Sequence, residues 1–341
     1  MNRIFLWLGL CLVLSVRPVR AALVNGHGYL PLADWAQANG LKLTSGDRGN
    51  QFTVSNHANS LVFEVNSAQV VINGVAVRLC YPVALDRGVP LISQLDSAET
   101  IRPVLYPPHT PAAKKLTTIC LDPGHGGRDT GNRVGGYSEK TYTLALAQEL
   151  RDQLVKAGFK VVLTRTKDEY VDLPLRPELA NRRGADLFVS LHFNATESGR
   201  DEVSGPETYC ITPVGASSSN AQGEGADFGS TTANHYELKS LFLAYQMQKS
   251  LVRNLGATDR GVRRARFAVL RDAAMPAILI EGGYMTHPLE GRRIFDFGYR
   301  RLMAKAMVQG ILAYQKAFQS PGSSPVPGPK YPAPTNSKRY S

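Results

Sequence analysis

"LTTICLDPGHGG", residues 116–127, decides how the longer, C-terminal part of this chain is read. Its first half is a β-branched, apolar run suited to a buried strand. Asp122-Pro123 then turns the chain into a glycine-rich loop that carries a single histidine, His125. Glycines on both sides of a histidine remove steric cover and permit unusual backbone angles, which a packing histidine does not need. His125 is therefore a candidate functional residue, and the downstream sequence can be searched for its partners.

From residue 116 onward, apolar strands and helices alternate. A helix follows the His125 loop, with Leu146, Leu150 and Leu154 on one face and Gly158 as its stop. Next come a strand at 159–165, a short helix at 177–183 and the apolar strand "ADLFVSLH" at 185–192. Beyond an irregular stretch lie the strand "ETYCI" (207–211), a helix at 237–255, a strand near "FAVL" (267–270), the strand "AILIE" (277–281) and one long helix at 289–318. This alternation predicts an α/β fold: a twisted, mostly parallel sheet flanked by helices on both faces. Such sheets bind ligands just beyond the carboxyl ends of their strands.

Polar residues at those strand ends are the candidates. The first strand ends at His125, "LFVSL" ends at His192 with Asn194 behind it, and "AILI" ends at Glu281 before Gly282-Gly283. Glu139, in "GGYSEK", opens the helix after the His125 loop, where Ser138 can cap and the helix dipole favours an ionised carboxylate. Two histidines and a carboxylate match the His₂Glu set of catalytic zinc sites, which leave a fourth position for water. His125, Glu139 and His192 are thus the expected metal ligands for one Zn2+ per chain, and Glu281 the expected proton acceptor.

Each residue has a plainer alternative. Either histidine can be structural, Glu139 can be an ordinary first-turn acid, and Glu281 can pair with Arg263, Arg264 or Arg271. Other chemistries fit worse. Gly126 and Gly131 have the spacing of a phosphate-binding loop, but Asn132-Arg133 follows instead of Lys and Ser/Thr, and Asp129 replaces the third glycine of a dinucleotide loop. A His-Glu-x-x-His helix and a Gly-x-Ser-x-Gly elbow are both missing.

Taken in order, "LDPGHGGRDTG", "SEK", "VVLTR", "LxxR" with "AN", "ADLFVSLHFNA", "RGVRRARFAVLR" and "PAILIEGGYMT" resemble the zinc-dependent N-acetylmuramoyl-L-alanine amidases of the amidase 3 family. The resemblance covers nearly all of residues 116–317. It implies a peptidoglycan hydrolase that uses zinc-activated water on the amide between N-acetylmuramic acid and L-alanine. It also implies His125, Glu139 and His192 as zinc ligands and Glu281 as the catalytic glutamate. Asn194, Arg263 and His287 are expected to line the substrate cleft, His287 standing where the family usually has Asn. Some members plug the zinc site with a glutamate from a helical insert. Here residues 212–235 are short and Gly/Ser-rich, which predicts a loop at the cleft edge, with Glu224 and Glu237 the residues a plug would use. The same ligand set would serve a zinc peptidase acting on stem peptides, and a decayed site would leave a non-catalytic wall-binding protein.

The remainder of the chain suggests an exported protein. Residues 1–21 read as a secretory signal peptide: Arg3, an apolar run, then a small-residue site at Ala21. Cys11 follows Leu10, which argues against a lipoprotein anchor, and no later stretch is apolar enough for a transmembrane segment in the mature chain. The expected location is periplasmic or extracellular. The formal charge of +11 includes Arg3, Arg17 and Arg20 of the leader, so the mature chain stands near +8. That charge suits anionic envelope polymers; no basic stripe interleaved with aromatics points to nucleic acid. Cys80, Cys120 and Cys210 are odd in number, and free buried cysteines are expected in place of a Cys120–Cys210 bridge.

Residues 22–103 alternate as a small β-rich α+β domain. It has strands at "QFTVS", "LVFEV", "AQVVI" and "VAVRL", an Asn73-Gly74 hairpin signal and a short helix at "LADWAQANG". "GYLPLADW" and "GVPLISQL" echo one another, and the pair bracketing a hairpin resembles the N-terminal-like domain of copper amine oxidases, without a copper ligand cluster. His27 and His57 are expected at the surface. "VLYPPHTPAAKK" (104–115) reads as a Pro-rich linker, and 318–341 as a disordered Pro/Ser-rich tail.

Overall fold

The computed structural model describes residues 22–46, 49–107, 116–219 and 229–319. The leader, Glu224, most of the expected linker and nearly all of the expected tail lie outside these residues.

The sequence's alternation is realised as the parallel heart of an 11-stranded sheet. Four strands lie side by side and parallel in the order Lys160–Leu163, Thr118–Pro123, Leu187–Asn194 and Ala277–Tyr284. The chain leaves Thr118–Pro123 toward one neighbour and returns to the opposite one. That reversal opens a crevice at the carboxyl ends of Thr118–Pro123 and Leu187–Asn194. Glu207–Cys210 then runs antiparallel beside Ala277–Tyr284, and Val262–Arg264 runs parallel beside Glu207–Cys210.

The two faces of this sheet are covered unequally. Side chains alternate along a strand, so Ile119 and Leu121 face one way and Cys120 and Asp122 the other. The Ile119 face packs into a large apolar core with Leu146, Leu150, Leu154, Met247, Leu251, Met303 and Met307 from three long helices, Glu139–Lys156, Glu237–Leu255 and Phe297–Gln319. The Cys120 face carries the shorter helices Leu175–Arg182 and Ala268–Arg271, packed through Ala180, Val269 and Leu270. By register, His192, Glu281 and Glu207 belong to this more thinly covered face. A polar site can open to solvent there without breaching the main core.

Two sequence expectations are corrected. "FAVL" is the helix Ala268–Arg271, and the strand lies earlier, at Val262–Arg264, where two arginines disguise the alternation. The single helix expected at 289–318 is two helices, Pro288–Phe295 and Phe297–Gln319. Asp296 between them is extended (φ −82°, ψ 135°), and its Oδ1 accepts the Tyr299 N–H at 2.8 Å. An aspartate at that point ends one helix and caps the next. The second helix also runs to Gln319, past the expected start of the tail. Cys120 and Cys210 are buried and free, as expected.

The N-terminal part forms a four-stranded sheet and an antiparallel meander. The two echoed segments pair directly, Leu30 opposite Ile92. Asn73 (φ 49°) and Gly74 (φ 81°) make the expected tight hairpin turn. Unforeseen was its attachment: Val75–Arg78 pairs in parallel with Val262–Arg264, Val77 opposite Val262, so one sheet runs through both parts of the chain. The Ala76 N–H donates to Asp259 Oδ2 at 2.7 Å, Tyr245 Oη donates to the Ile72 carbonyl at 3.2 Å, and buried Arg264 donates to the Glu99 carbonyl at 2.7 Å. Leu105, within the expected linker, ends the short helix Arg102–Leu105.

A chain beginning at Leu116 would lose those three bonds, worth about 1 kcal/mol each, and would expose the Val262–Arg264 strand edge. The truncated protein is expected to be less stable by about 3 kcal/mol or more and to self-associate. Thermal denaturation and size-exclusion chromatography against the full chain check this.

Candidate metal centre

The Thr118–Pro123 strand delivers its last residues into a network of buried charge. Asp122 is fully buried: Oδ1 accepts from Thr164 Oγ1 (2.6 Å) and Arg176 Nη1 (2.8 Å), and Oδ2 accepts from Ser190 Oγ (2.7 Å). Arg176 also donates to the Pro123 and His125 carbonyls, each at 3.0 Å. A second buried arginine, Arg165, donates to the carbonyls of Pro123 (3.0 Å), Gly124 (2.9 Å) and Lys140 (2.8 Å). Two guanidinium groups thus hold the loop backbone from beneath. This fixation offsets the cost of His125 itself, which adopts left-handed φ of 61°.

The glycines of the loop make room for close approach. A Cβ on Gly124 would sit 2.3 Å from Cε1 of His192. A Cβ on Gly131 (φ 61°) would sit 2.5 Å from Cδ2 of His125 and 2.6 Å from Oε2 of Glu139. Gly131→Ala is therefore expected to lower metal affinity by at least about tenfold, the scale of a disturbed supporting shell, with the fold retained. Zinc titration with a competing chelator measures it.

Glu139 opens the helix Glu139–Lys156 and is 1 % exposed. The expected Ser138 side-chain cap is not formed. Instead Glu139 is held by two backbone donors, Asn132 N–H to Oε2 at 2.9 Å and Phe193 N–H to Oε1 at 3.1 Å. Burial opposes its ionisation. The hydrogen bonds and charges of His125 and His192 win, and the carboxyl is held far below the usual carboxylate range.

His192 arrives from the end of its strand. Its Nδ1 lies 3.0 Å from Glu139 Oε1 and 3.2 Å from His125 Nε2, and His125 Nε2 lies 3.1 Å from Glu139 Oε1. His125 Nδ1 is 2.8 Å from Asp129 Oδ2. Burial lowers the His125 pKa, but Glu139 and Asp129 outweigh it and raise the imidazole above its ordinary value. Three ligand atoms at the corners of a near-equilateral triangle fit a tetrahedral zinc site. Zinc bonds of about 2.0–2.1 Å would separate ligands by roughly 3.4 Å. Asp129, on the far nitrogen of His125, is the carboxylate partner that orients a metal-bound imidazole. Among the described residues these three form the His/Cys/Asp/Glu group able to hold a metal.

Glu281 is directly opposite His192 in the sheet register. Its Oε2 is shielded and has no hydrogen-bond partner, and none of the three arginines bonds to it. Burial raises its pKa well above the carboxylate range, reinforced by the charges of Glu139 and Glu207. A cation at the triad would pull it back toward ionisation.

The remaining sequence candidates have other partners. Asn194 Oδ1 accepts the Ala195 N–H beside an irregularity in the strand pairing. Arg263 Nε is 2.8 Å from Glu207 Oε2. His287 Nδ1 accepts from the N–H groups of Leu289 (3.3 Å) and Glu290 (3.1 Å), capping the helix Pro288–Phe295. Glu237 accepts from Asn234 Nδ2 at 2.8 Å. Sequence reasoning missed Asp129, Asn132, Arg165, Arg176 and Glu207. Asp129, four residues beyond His125, was the one with a local spacing signal.

Comparison with known proteins covers the same half of the chain. The family model described as N-acetylmuramoyl-L-alanine amidase matches residues 119–313. N-acetylmuramoyl-L-alanine amidase LytC of Bacillus subtilis is 32% identical over 199 residues, 58% of this chain but 36% of that protein, so the chain spans about a third of LytC. AmiA of Escherichia coli is 31% identical over 237 residues, covering 62% of this chain and 81% of AmiA. The solved structure of amidase AmiC2 of Nostoc punctiforme superposes with a TM-score of 0.50 at 33% identity, over 59% of this chain and 97% of AmiC2. The match takes in the crevice, its glycine loop and all three converging side chains, and on that ground the chain belongs to the N-acetylmuramoyl-L-alanine amidase family.

Proposed function

We propose that this protein hydrolyses peptidoglycan at the amide joining N-acetylmuramic acid to L-alanine, with one zinc ion held by His125, Glu139 and His192. The observation that carries the proposal is the 3.0–3.2 Å convergence of those three ligand atoms next to Glu281. When bound there, zinc supplies Lewis acidity toward a carbonyl and lowers the pKa of water.

The residues divide the remaining work. Asp129 and the backbone donors to Glu139 fix the ligand atoms in place. Glu281 takes the proton of the attacking water and returns it to the departing L-alanine nitrogen. The bond broken joins the lactyl carbonyl to that nitrogen, so a glycan strand and an intact stem peptide are released. Asn194 lies on the same rim, one residue past the strand irregularity, where a bound glycan-peptide would pass.

The leader-like residues 1–21 and the basic balance support export to where peptidoglycan lies and adherence to its anionic polymers. Among the described residues no helix is long and apolar enough to cross a membrane. The small N-terminal domain, docked through the shared sheet, serves as an accessory to the same substrate.

Metal removal tests the proposal. Dialysis against a chelator is expected to abolish release of stem peptides from purified cell walls, and one equivalent of zinc to restore it. Undiminished release from metal-free protein would refute it.

A further inference from the structure

Beside Glu281 lies a second charged cluster that amide hydrolysis does not use. Glu207 is directly opposite Glu281 in the register and 2 % exposed. Its carboxylate accepts from Tyr284 Oη (2.5 Å), Arg260 Nε (2.7 Å) and Tyr209 Oη (2.7 Å), and Arg263 Nε lies 2.8 Å away. Three donors and one close guanidinium surround this carboxylate. Burial disfavours its charge, but Arg260, Tyr284, Arg263 and Tyr209 hold its pKa below the usual range, so it is ionised.

The charge count is unbalanced. One carboxylate faces two guanidinium groups, a net positive charge within this cluster. Arg260 donates to Glu207 through Nε, Arg263 Nε donates to the Arg260 carbonyl (3.3 Å) while ion-pairing with Glu207, and both side chains remain partly exposed at 27%. Each keeps Nη hydrogens in the planar fork that suits a carboxylate. The Tyr284 ring, 5.0 Å from the Arg260 guanidinium, and the Glu207 bonds hold this fork in place before any ligand arrives.

The distances suit the peptide side of the substrate. Strands lie about 4.8 Å apart, which places the guanidinium groups roughly 5–10 Å from Glu281. One extended residue spans about 3.5 Å, so a carboxylate on the residue after L-alanine lies about 7 Å from the scissile nitrogen. We propose that Arg260 and Arg263, clamped by Glu207, form a subsite for a free carboxylate on the stem residue following L-alanine. The inference rests on the amidase reading and adds its specificity: an acidic stem is preferred to an amidated one.

Two synthetic muropeptides test it, identical except that the second stem residue carries a free α-carboxylate in one and a carboxamide in the other. The wild-type protein is expected to favour the carboxylate by about tenfold or more in kcat/KM, mainly through KM, the scale of a charge-assisted bond. Arg263→Gln and Arg260→Gln are each expected to bring that ratio close to one. Both substrates are measured on one preparation, so partial unfolding lowers both rates and leaves the ratio intact. Equal cleavage of both by the wild type, or an unchanged ratio in both variants, overturns the subsite while the amidase reading stands. Cleavage of neither substrate by the wild type overturns both.

Discussion

Glu281→Ala is expected to bind zinc as the wild type does and to lose activity by roughly 10²–10⁴-fold, the usual contribution of a positioned proton-transfer group. The reasoning starts from the orphaned Oε2. A buried carboxyl oxygen without a donor costs stability, and the sequence retains it next to His192, where a water could meet it. Its proton affinity is raised by burial and by Glu139 and Glu207. A cation at the triad would lower it again, favouring the ionised form that can take a proton. The alanine variant deletes that exchange and leaves all three ligands in place. In the proposed mechanism the working form is the ionised one, so wild-type activity should also fall on the acid side of its optimum, and the part of that limb due to Glu281 should be missing from the residual activity of the variant. Zinc content by elemental analysis, paired with kcat/KM, separates this outcome from loss of metal.

Asp122→Ala carries the largest expected cost in stability. The substitution leaves Arg176 buried at 1 % exposure without its carboxylate, and strips Thr164 and Ser190 of an acceptor. Breaking a buried pair from one side costs about 3–5 kcal/mol. For a protein of this size that corresponds to a fall in Tm of roughly 4–8 °C. Asp122→Asn keeps the shape and part of the hydrogen bonding and should fall between the two. The damage reaches the metal centre as well, since Arg176 also holds the Pro123 and His125 carbonyls. Zinc affinity should fall together with Tm. A variant that melts normally but binds zinc weakly would contradict the coupling.

The strand ends were legible in the sequence because each apolar run stops at a polar residue, and the register sets His192 opposite Glu281. His125 was legible because it stands alone among glycines at a strand end, although the glycines also make room for His192, Arg165 and the backbone of Glu169 and Tyr170. The arginines under the loop were hidden: Arg165 and Arg176 hold the carbonyls of residues 123–125 from 40 or more positions away, which no local spacing encodes. The strand Val262–Arg264 was hidden for a related reason. One of its arginines turns to Glu207 and the other to the Glu99 carbonyl, so neither reads as a strand residue until both partners are in place. The break between the last two helices is hidden because Asp296 alone interrupts an otherwise continuous amphipathic run. Joining of the two parts through Val77 and Val262 depends on a contact across nearly 200 residues, beyond any window of pattern.

Mass spectrometry of muropeptides released from purified peptidoglycan measures the bond that is cut. The wild-type protein should release intact stem peptides with a free L-alanine amino terminus and leave glycan strands whose lactyl groups end in carboxylate. Shortened stems still attached to N-acetylmuramic acid would contradict the assignment of the His125, Glu139, His192 and Glu281 site to that amide.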